Sequence, residues 1–152
     1  MACWNSSCRN GCHFRARPAS ERRQLLQALL LLSLVGVLRR VLRFSRLCTL
    51  LSRWAAAPNN APLSAVDQMH HIAQAVQTAS ACAWPRPNCL DRSLTLWFML
   101  NRRRITSELV FGVCYADGAL DAHAWVTVQG SVLNDSPDVA ERYAVIHPQA
   151  MP

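Results

Sequence analysis

The chain has 152 residues, of which 51% are hydrophobic and 16% charged. This composition excludes an intrinsically disordered protein, and the length predicts one folded domain of ordinary size. Every basic residue is an arginine. Residues 1–60 hold ten of them against one acid, a net charge of +9, whereas residues 61–152 hold six against eight acids, a net charge of −2. The basic half is therefore expected to be a separate region with its own acidic peptide, protein or membrane partner. It contains no zinc-finger, helix-turn-helix or RNA-binding motif, so nucleic acid is not an expected partner.

The chain contains seven cysteines, an odd number at irregular spacing, and no secretion signal. This pattern argues against a disulfide framework and predicts reduced thiols in the cytoplasm. Three of the cysteines, Cys3, Cys8 and Cys12, lie close to His13, but their spacing matches no standard zinc site. We therefore expect no metal, and residues 1–20 are interpreted as a poorly ordered tail.

Residues 21–57 are predicted to form a helical, basic region. Residues 24–38 carry no charge, and this stretch of 15 residues is shorter than the ~20 that a membrane-spanning helix needs. Arginines close both ends, and no signal-peptide cleavage site follows. We expect an apolar helix that packs on a partner or on its own domain and continues into an arginine-rich second helix through Trp54. Peripheral membrane contact is the alternative.

A linker rich in proline and asparagine, residues 55–64, precedes a predicted domain at 62–150. Ser64 and Asp67 form the pattern of a capping box, which predicts the start of a helix over 65–80. Apolar residues at helical spacing fill that segment. The domain is therefore expected to open with a helix.

A second helix is predicted to begin at Cys89 and to end in the cluster Arg102–Arg104, because basic residues suit a helix C-terminus. After Ser107 the sequence becomes rich in β-forming residues, with turn signals between the runs. The predicted strands, in an antiparallel meander, are 108–115, 121–128, 131–135 and 143–148. Helices followed by such a sheet define an α+β domain.

Three residues of this domain form a candidate site: Cys89, His123 and Asp135. Cys89 at a helix N-terminus is close to the positive end of the helix dipole and to unpaired N–H groups, which favour the nucleophilic thiolate. His123 lies within a predicted strand, and a hairpin across the turn at 129–130 would place Asp135 nearly opposite it. A carboxylate there would fix the imidazole tautomer and stabilise the protonated ring, as the third member of a triad does.

Each of these residues also has a simpler explanation when taken alone. A cysteine in an apolar stretch is usually a small buried residue, a strand histidine usually a structural hydrogen-bonder, and an aspartate in "LNDSP" a turn residue. Their order along the chain favours catalysis. A thiol at a helix start, an imidazole in a strand and a carboxylate after the next strand are the arrangement of papain-like and transglutaminase-like sites.

Four segments together resemble the transglutaminase-like leader peptidases of lasso-peptide biosynthesis: "CLDRSLTL", "ELVFGV", "AHAWV" and "VLNDSPDVAERY". The resemblance covers roughly residues 60–150 with specific motifs and 20–55 more loosely. Because the chain has no room for a further recognition domain, it is similar to the stand-alone protease half of the split B protein. A transglutaminase-like (papain-like) α+β fold is what this resemblance implies.

The resemblance implies removal of the leader from a lasso precursor peptide, with Cys89 as nucleophile, His123 as general base and acid, and Asp135 as the orienting group. The implied partners are the precursor, a separate small leader-binding protein, and an asparagine-synthetase-like cyclase that closes the ring. No phosphate-binding loop is visible, so no cofactor is expected, although the sequence does not decide whether proteolysis depends on ATP.

Other residues of the same motifs are candidates for supporting roles. The backbone N–H of Cys89 is a natural oxyanion donor at a helix start. Arg92, one turn further on, is expected to anchor a loop or a carboxylate, with a solvated helix arginine as the alternative. Trp125 and Asn134 are candidates for substrate contact or for support of the site. Asp91 stands where many relatives have Pro or Ala, and is expected to raise the pKa of the thiol slightly.

Two further functions remain open at this point. An acyl transferase would form the same acyl-cysteine intermediate and differ only in its acceptor, an amine instead of water. A non-catalytic module would use the basic helices to bind a peptide while the three site residues merely pack.

Overall fold

The computed structural model describes residues 18–54, 66–116 and 118–146. Its helices are α1 (Ala19–Val41), α2 (Phe44–Trp54), α3 (Val66–Ser80), α4 (Cys89–Asn101) and the short α5 (Val139–Arg142). Its strands are β1 (Glu108–Ala116), β2 (Ala119–Val128), β3 (Ser131–Val132) and β4 (Ala144–Ile146). The predicted tail, the linker and the Ser64 cap lie outside the described residues, apart from the first residues of α1.

Helix α1 packs on its own domain, one of the two outcomes expected from its sequence. One face is buried in the same hydrophobic cluster as residues of α3 and α4, through Leu25, Ala28, Leu32 and Val35. By length and composition α1 is also apolar enough to cross a membrane. Among the described residues it is the one helix that meets this test. A buried core helix passes the same test. The predicted boundaries of the tail, the basic region and the protease domain stay predictions.

Helix α4 lies between the other helices and the sheet. It contacts α1 and α3 on one side and β2 on the other, and eight of its residues besides Asp91 are buried. The helix ends at Asn101, just before the arginine cluster predicted to lie in its last turn. Arg104 adopts a left-handed backbone with φ of 60°, and the Ile105 N–H donates to the Leu100 carbonyl over 3.1 Å. This closure is a Schellman motif, which stops the helix.

The four strands form one antiparallel sheet in the order β3-β2-β1-β4, so the chain has the predicted α+β architecture. The sheet is not a simple meander, however, because β4 pairs with β1 and not with β3. The short helix α5 reverses the direction of the chain. The following strand β4 then pairs with β1, on the side of β1 opposite to β2.

The third strand is much shorter than the predicted 131–135. Its register, Val128 opposite Ser131, is the one expected, but the ladder ends at the pair Thr127–Val132. One further backbone bond follows, from Leu133 N to the Val126 carbonyl. The Val126 N–H then donates to the Asn134 side chain over 2.7 Å. A side-chain amide thus replaces the backbone partner, and the chain is free to turn towards the helix.

Candidate active site

A capping box sets the first residue of α4. The Asn88 side chain accepts a 2.9 Å hydrogen bond from the Asp91 N–H, and the Asp91 carboxylate accepts a 3.1 Å bond from the Asn88 N–H. Both residues of the box thereby satisfy N–H groups that the helix itself leaves unpaired. Cys89 is therefore held as the first helical residue, where the helix dipole favours a thiolate.

Asp91 is fully buried. Its carboxylate accepts a 2.7 Å hydrogen bond from Nε of Arg39 on α1. The pKa of Cys89 is lowered by His123 and by backbone N–H groups, against the opposing effect of burial; the small rise expected from Asp91 stays a prediction. The guanidinium on the neighbouring helix neutralises the carboxylate and holds it in the capping box.

The thiol of Cys89 and the imidazole of His123 both line the site and interact with each other. A side-chain hydrogen bond with His123 is the largest cause that lowers the pKa of Cys89, against an opposing effect of burial. The backbone N–H groups of Ala124 and Leu90 lower the same pKa further. In return, the bond to Cys89 is the largest cause that raises the pKa of His123. Each group therefore favours the charged form of the other.

Asp135 contacts the imidazole on its other side. Its Oδ2 lies 2.5 Å from Nε2 of His123, which leaves Nδ1 as the ring nitrogen available to the thiol. This contact also raises the pKa of His123. The structure thus brings Cys89, His123 and Asp135, far apart in sequence, into one chain of polar contacts.

The loop that carries Asp135 is held by its own polar contacts. The Oδ1 atom of Asp135 accepts a 2.7 Å bond from the Ser136 N–H. The Arg142 guanidinium of α5 lies 3.6 Å from the same oxygen and donates to the Ser136 hydroxyl over 2.6 Å. Because Oδ1 is occupied in this way, Oδ2 is the oxygen directed at His123.

Asn134 and Ser93 join this loop to α4 and β2. The Asn134 amide donates to the Ser93 hydroxyl over 2.9 Å, and that hydroxyl donates to the Ala124 carbonyl over 2.8 Å. Because its oxygen accepts from the Val126 N–H, both polar atoms of the Asn134 side chain are hydrogen-bonded within the protein. It supports the site from within the fold. The sequence reasoning did not select Ser93 beyond its place in the helix motif.

Two aromatic rings pack against the imidazole. Trp125 is 1% exposed, and its ring lies 6.1 Å from that of His123, nearly parallel to it. Tyr143 stacks on His123 at 5.1 Å and donates its hydroxyl to Asp121 over 2.8 Å. The bond to Asp121 is the largest of the causes that raise the pKa of Tyr143 to about 12. Trp125 therefore packs against the imidazole from within the core. Tyr143 is a site residue that the sequence analysis did not predict.

The position of Gly112 explains how the rings fit. Gly112 is the β1 partner of His123, and a Cβ there would lie 2.7 Å from the Cβ of Tyr143 and 2.8 Å from the Trp125 ring. Only a glycine leaves that space. A glycine inside the predicted strand 108–115 was the one sequence signal for close packing at this point.

A cavity of about 350 Å³ opens over these groups. It is lined by Cys89, Arg92, His123, Ala124, Asn134, Asp135, Ser136, Asp138, Arg142 and Tyr143. Both Cys89 and His123 therefore line this cavity. Among the described residues, no group of three or more His, Cys, Asp or Glu side chains could hold a metal ion. The cysteines near His13 lie outside the described residues.

Comparison with known proteins agrees with this fold. Residues 31–147 match the family model of the transglutaminase-like superfamily. A segment of 61 residues is 38% identical to the microcin J25-processing protein McjB of Escherichia coli, covering 40% of this chain and 28% of that protein. The chain thus spans less than a third of the curated relative that it matches. No solved structure gives a significant match. Because the family match extends over most of its length, the chain belongs to the transglutaminase-like superfamily.

Proposed function

We propose that the protein is a cysteine peptidase that removes the leader from a lasso-peptide precursor in the cytoplasm. A separate small protein would present the leader, and an asparagine-synthetase-like cyclase would close the ring on the released core. The similarity to a microcin-processing protein supports the substrate class. The observation that carries the proposal is the continuous contact from the Cys89 thiol through His123 to Asp135 beside a cavity.

In this proposal the Cys89 thiolate attacks the carbonyl carbon of the last leader residue. The protonated His123 gives its proton to the nitrogen of the first core residue, the peptide bond breaks, and the core leaves with a free amine. His123 then takes a proton from a water molecule, which attacks the thioester carbonyl. The sulfur then leaves as the thiolate beside the protonated His123, which is the starting state, and the new leader carboxylic acid loses its proton to the solvent. Asp135 keeps the ring oriented and stabilises its protonated form throughout.

The negative oxygen formed in each attack needs donors close to the sulfur. The Cys89 N–H at the first position of α4 makes no hydrogen bond to a residue that the structure describes. It lies at the positive end of the helix dipole, which favours a developing negative charge. It is therefore the group proposed to donate to the oxyanion.

The test uses the purified protein with a lasso precursor peptide and a leader-binding protein taken from the gene's neighbourhood, where both are expected to be encoded. Mass spectrometry is expected to show free leader and free core with the wild type. Cys89→Ala and Cys89→Ser should lower the cleavage rate at least ~1000-fold, while Cys82→Ala, an exposed cysteine outside the cavity, should cleave at the wild-type rate. A wild-type rate in Cys89→Ala would show that the catalytic assignment is wrong.

The same assay separates hydrolysis from transfer. With methylamine present, a transferase would give a leader whose new end is an N-methylamide, whereas a peptidase gives a carboxylate end. The two products differ in mass, so one experiment decides which acceptor the acyl-cysteine intermediate uses.

A further inference from the structure

The cavity beside Cys89 contains one positive charge that nothing in the described structure neutralises. Of its other charged groups, Asp135 contacts His123 and Arg142, and Asp138 lies 3.3 Å from Arg142. The guanidinium of Arg92 has no hydrogen bond or ion pair with any described residue, although its side chain is half-buried and lines the cavity. Half-buried arginines that face a cavity are expected to find an acidic partner.

The carboxylate next to Arg92 in sequence does not supply that partner. Asp91 is fully buried, and its two oxygens are used by Arg39 and by the Asn88 N–H. It therefore lies on the core side of α4, whereas Arg92 lies on the cavity side. The adjacent acid and base point into different environments and do not form a pair.

The distance between Arg92 and the thiol determines which residues of a bound peptide the guanidinium can contact. Arg92 follows Cys89 by three residues in one helix, so the two side chains are neighbours on one face, with their Cβ atoms about 5–6 Å apart. A peptide whose carbonyl carbon sits at the sulfur would place the adjoining residues, within about two positions, near the guanidinium. The planar fork of an arginine matches a carboxylate through two parallel hydrogen bonds.

We propose that Arg92 is a specificity residue that binds a carboxylate of the substrate peptide, an Asp or Glu side chain within two residues of the cleaved bond. This inference rests on the proposed peptidase function for its substrate. The binding of a carboxylate beside the thiol, however, does not depend on catalysis. The two are therefore tested by different measurements.

The first measurement is the rate of Cys89 alkylation by iodoacetate, which carries a carboxylate, and by iodoacetamide, which is neutral. Both reagents react with the same thiolate, so the ratio of the two rates removes any change in the thiol pKa. Arg92→Gln is expected to lower the ratio of iodoacetate to iodoacetamide rates roughly fivefold or more, because one positive charge near the sulfur is lost. The rates are read on the Cys89 peptide by mass spectrometry.

Arg86→Gln is the matched control. Arg86 lies three residues before Cys89, is exposed, and is not part of the cavity lining, so its loss should leave the ratio unchanged. Arg92→Lys should keep part of the selectivity, and circular dichroism shows that each variant has folded. An unchanged ratio in Arg92→Gln, or an equal fall in Arg86→Gln, would overturn the proposal.

The second measurement is leader cleavage. Arg92→Gln should raise KM about tenfold with a smaller effect on kcat, and replacing the acidic residue near the junction of the precursor by its amide should do the same in the wild type. A precursor without an acidic residue within two positions of the cleaved bond would overturn the substrate class. If the wild type cleaves nothing while the alkylation ratio still depends on Arg92, the peptidase function fails and the carboxylate site stands.

Discussion

Arg39 of α1 donates a 2.7 Å hydrogen bond from Nε to the buried carboxylate of Asp91, two residues after Cys89. The contact joins a helix of the basic N-terminal segment to the first turn of the helix that carries the thiol. Asp91 in turn completes the cap of that helix. The N-terminal segment therefore takes part in positioning the candidate nucleophile.

Arg39→Gln is expected to lower the free energy of unfolding by about 1–3 kcal/mol, because it leaves a buried carboxylate without its partner. Arg39 is 31% exposed, which reduces the effect below that of a fully buried pair. Urea denaturation measures the change.

The double variant Arg39→Gln/Asp91→Asn removes the buried charge and should be more stable than Arg39→Gln alone. Arg43→Gln, an exposed arginine just beyond α1, is the control and should change the stability little. Equal losses in Arg39→Gln and Arg43→Gln would show that the ion pair does not stabilise the helix start.

The pH dependence of Cys89 reactivity should follow its pairing with His123. Alkylation by iodoacetamide requires the thiolate, so the rate in the wild type should rise with pH around a midpoint below the ordinary thiol pKa. His123→Ala removes the largest cause of the lowered pKa and leaves the effect of burial, which raises it. The midpoint should therefore move to higher pH, as read from the rate of labelling of the Cys89 peptide.

Cys48 gives an internal control in the same samples. Its side chain is buried, and burial raises its pKa to about 11, so it should stay almost unlabelled at neutral pH in both proteins. A midpoint that is the same in the wild type and in His123→Ala would mean that the imidazole does not activate the thiol.

Gly112→Ala should disturb the site without touching a polar group. The new methyl group would lie 2.7 Å from the Cβ of Tyr143 and 2.8 Å from the Trp125 ring, so both neighbours, or β1 itself, must shift. We expect a loss of about 1–3 kcal/mol in the free energy of unfolding, as for other overpacked positions. Because both rings pack against His123, the rate of leader cleavage should also fall.

Gly36→Ala is the comparison, since a Cβ at that buried position in α1 would meet Pro85 at an ordinary 3.5 Å. It should leave the rate unchanged and be neutral or stabilising by up to about 1 kcal/mol, because alanine favours a helix. Thermal denaturation and the cleavage assay measure both variants. If Gly112→Ala behaves like Gly36→Ala, the packing around the imidazole is not tight.

The sequence by itself determined the local features of the site. Helical periodicity after Cys89 predicted that this residue begins α4, and turn residues at 129–130 predicted the register of Val128 with Ser131. Such features depend on neighbours a few residues apart, whose preferences for backbone conformation act whatever the rest of the chain does. The motifs then led to the transglutaminase-like family, which the match over 31–147 confirms.

Only the tertiary structure decided how these local pieces meet. The placement of β4 beside β1, the stack of Tyr143 on His123 and the ion pair of Asp91 with Arg39 join residues far apart in the chain. Each of these contacts depends on which buried polar groups and rings lie next to each other once the core has packed. Short-range sequence patterns do not contain that information. The same reason explains why Asn134, and not a backbone carbonyl, ends the pairing of β3: its amide completes the edge of β2 and directs the chain towards the thiol.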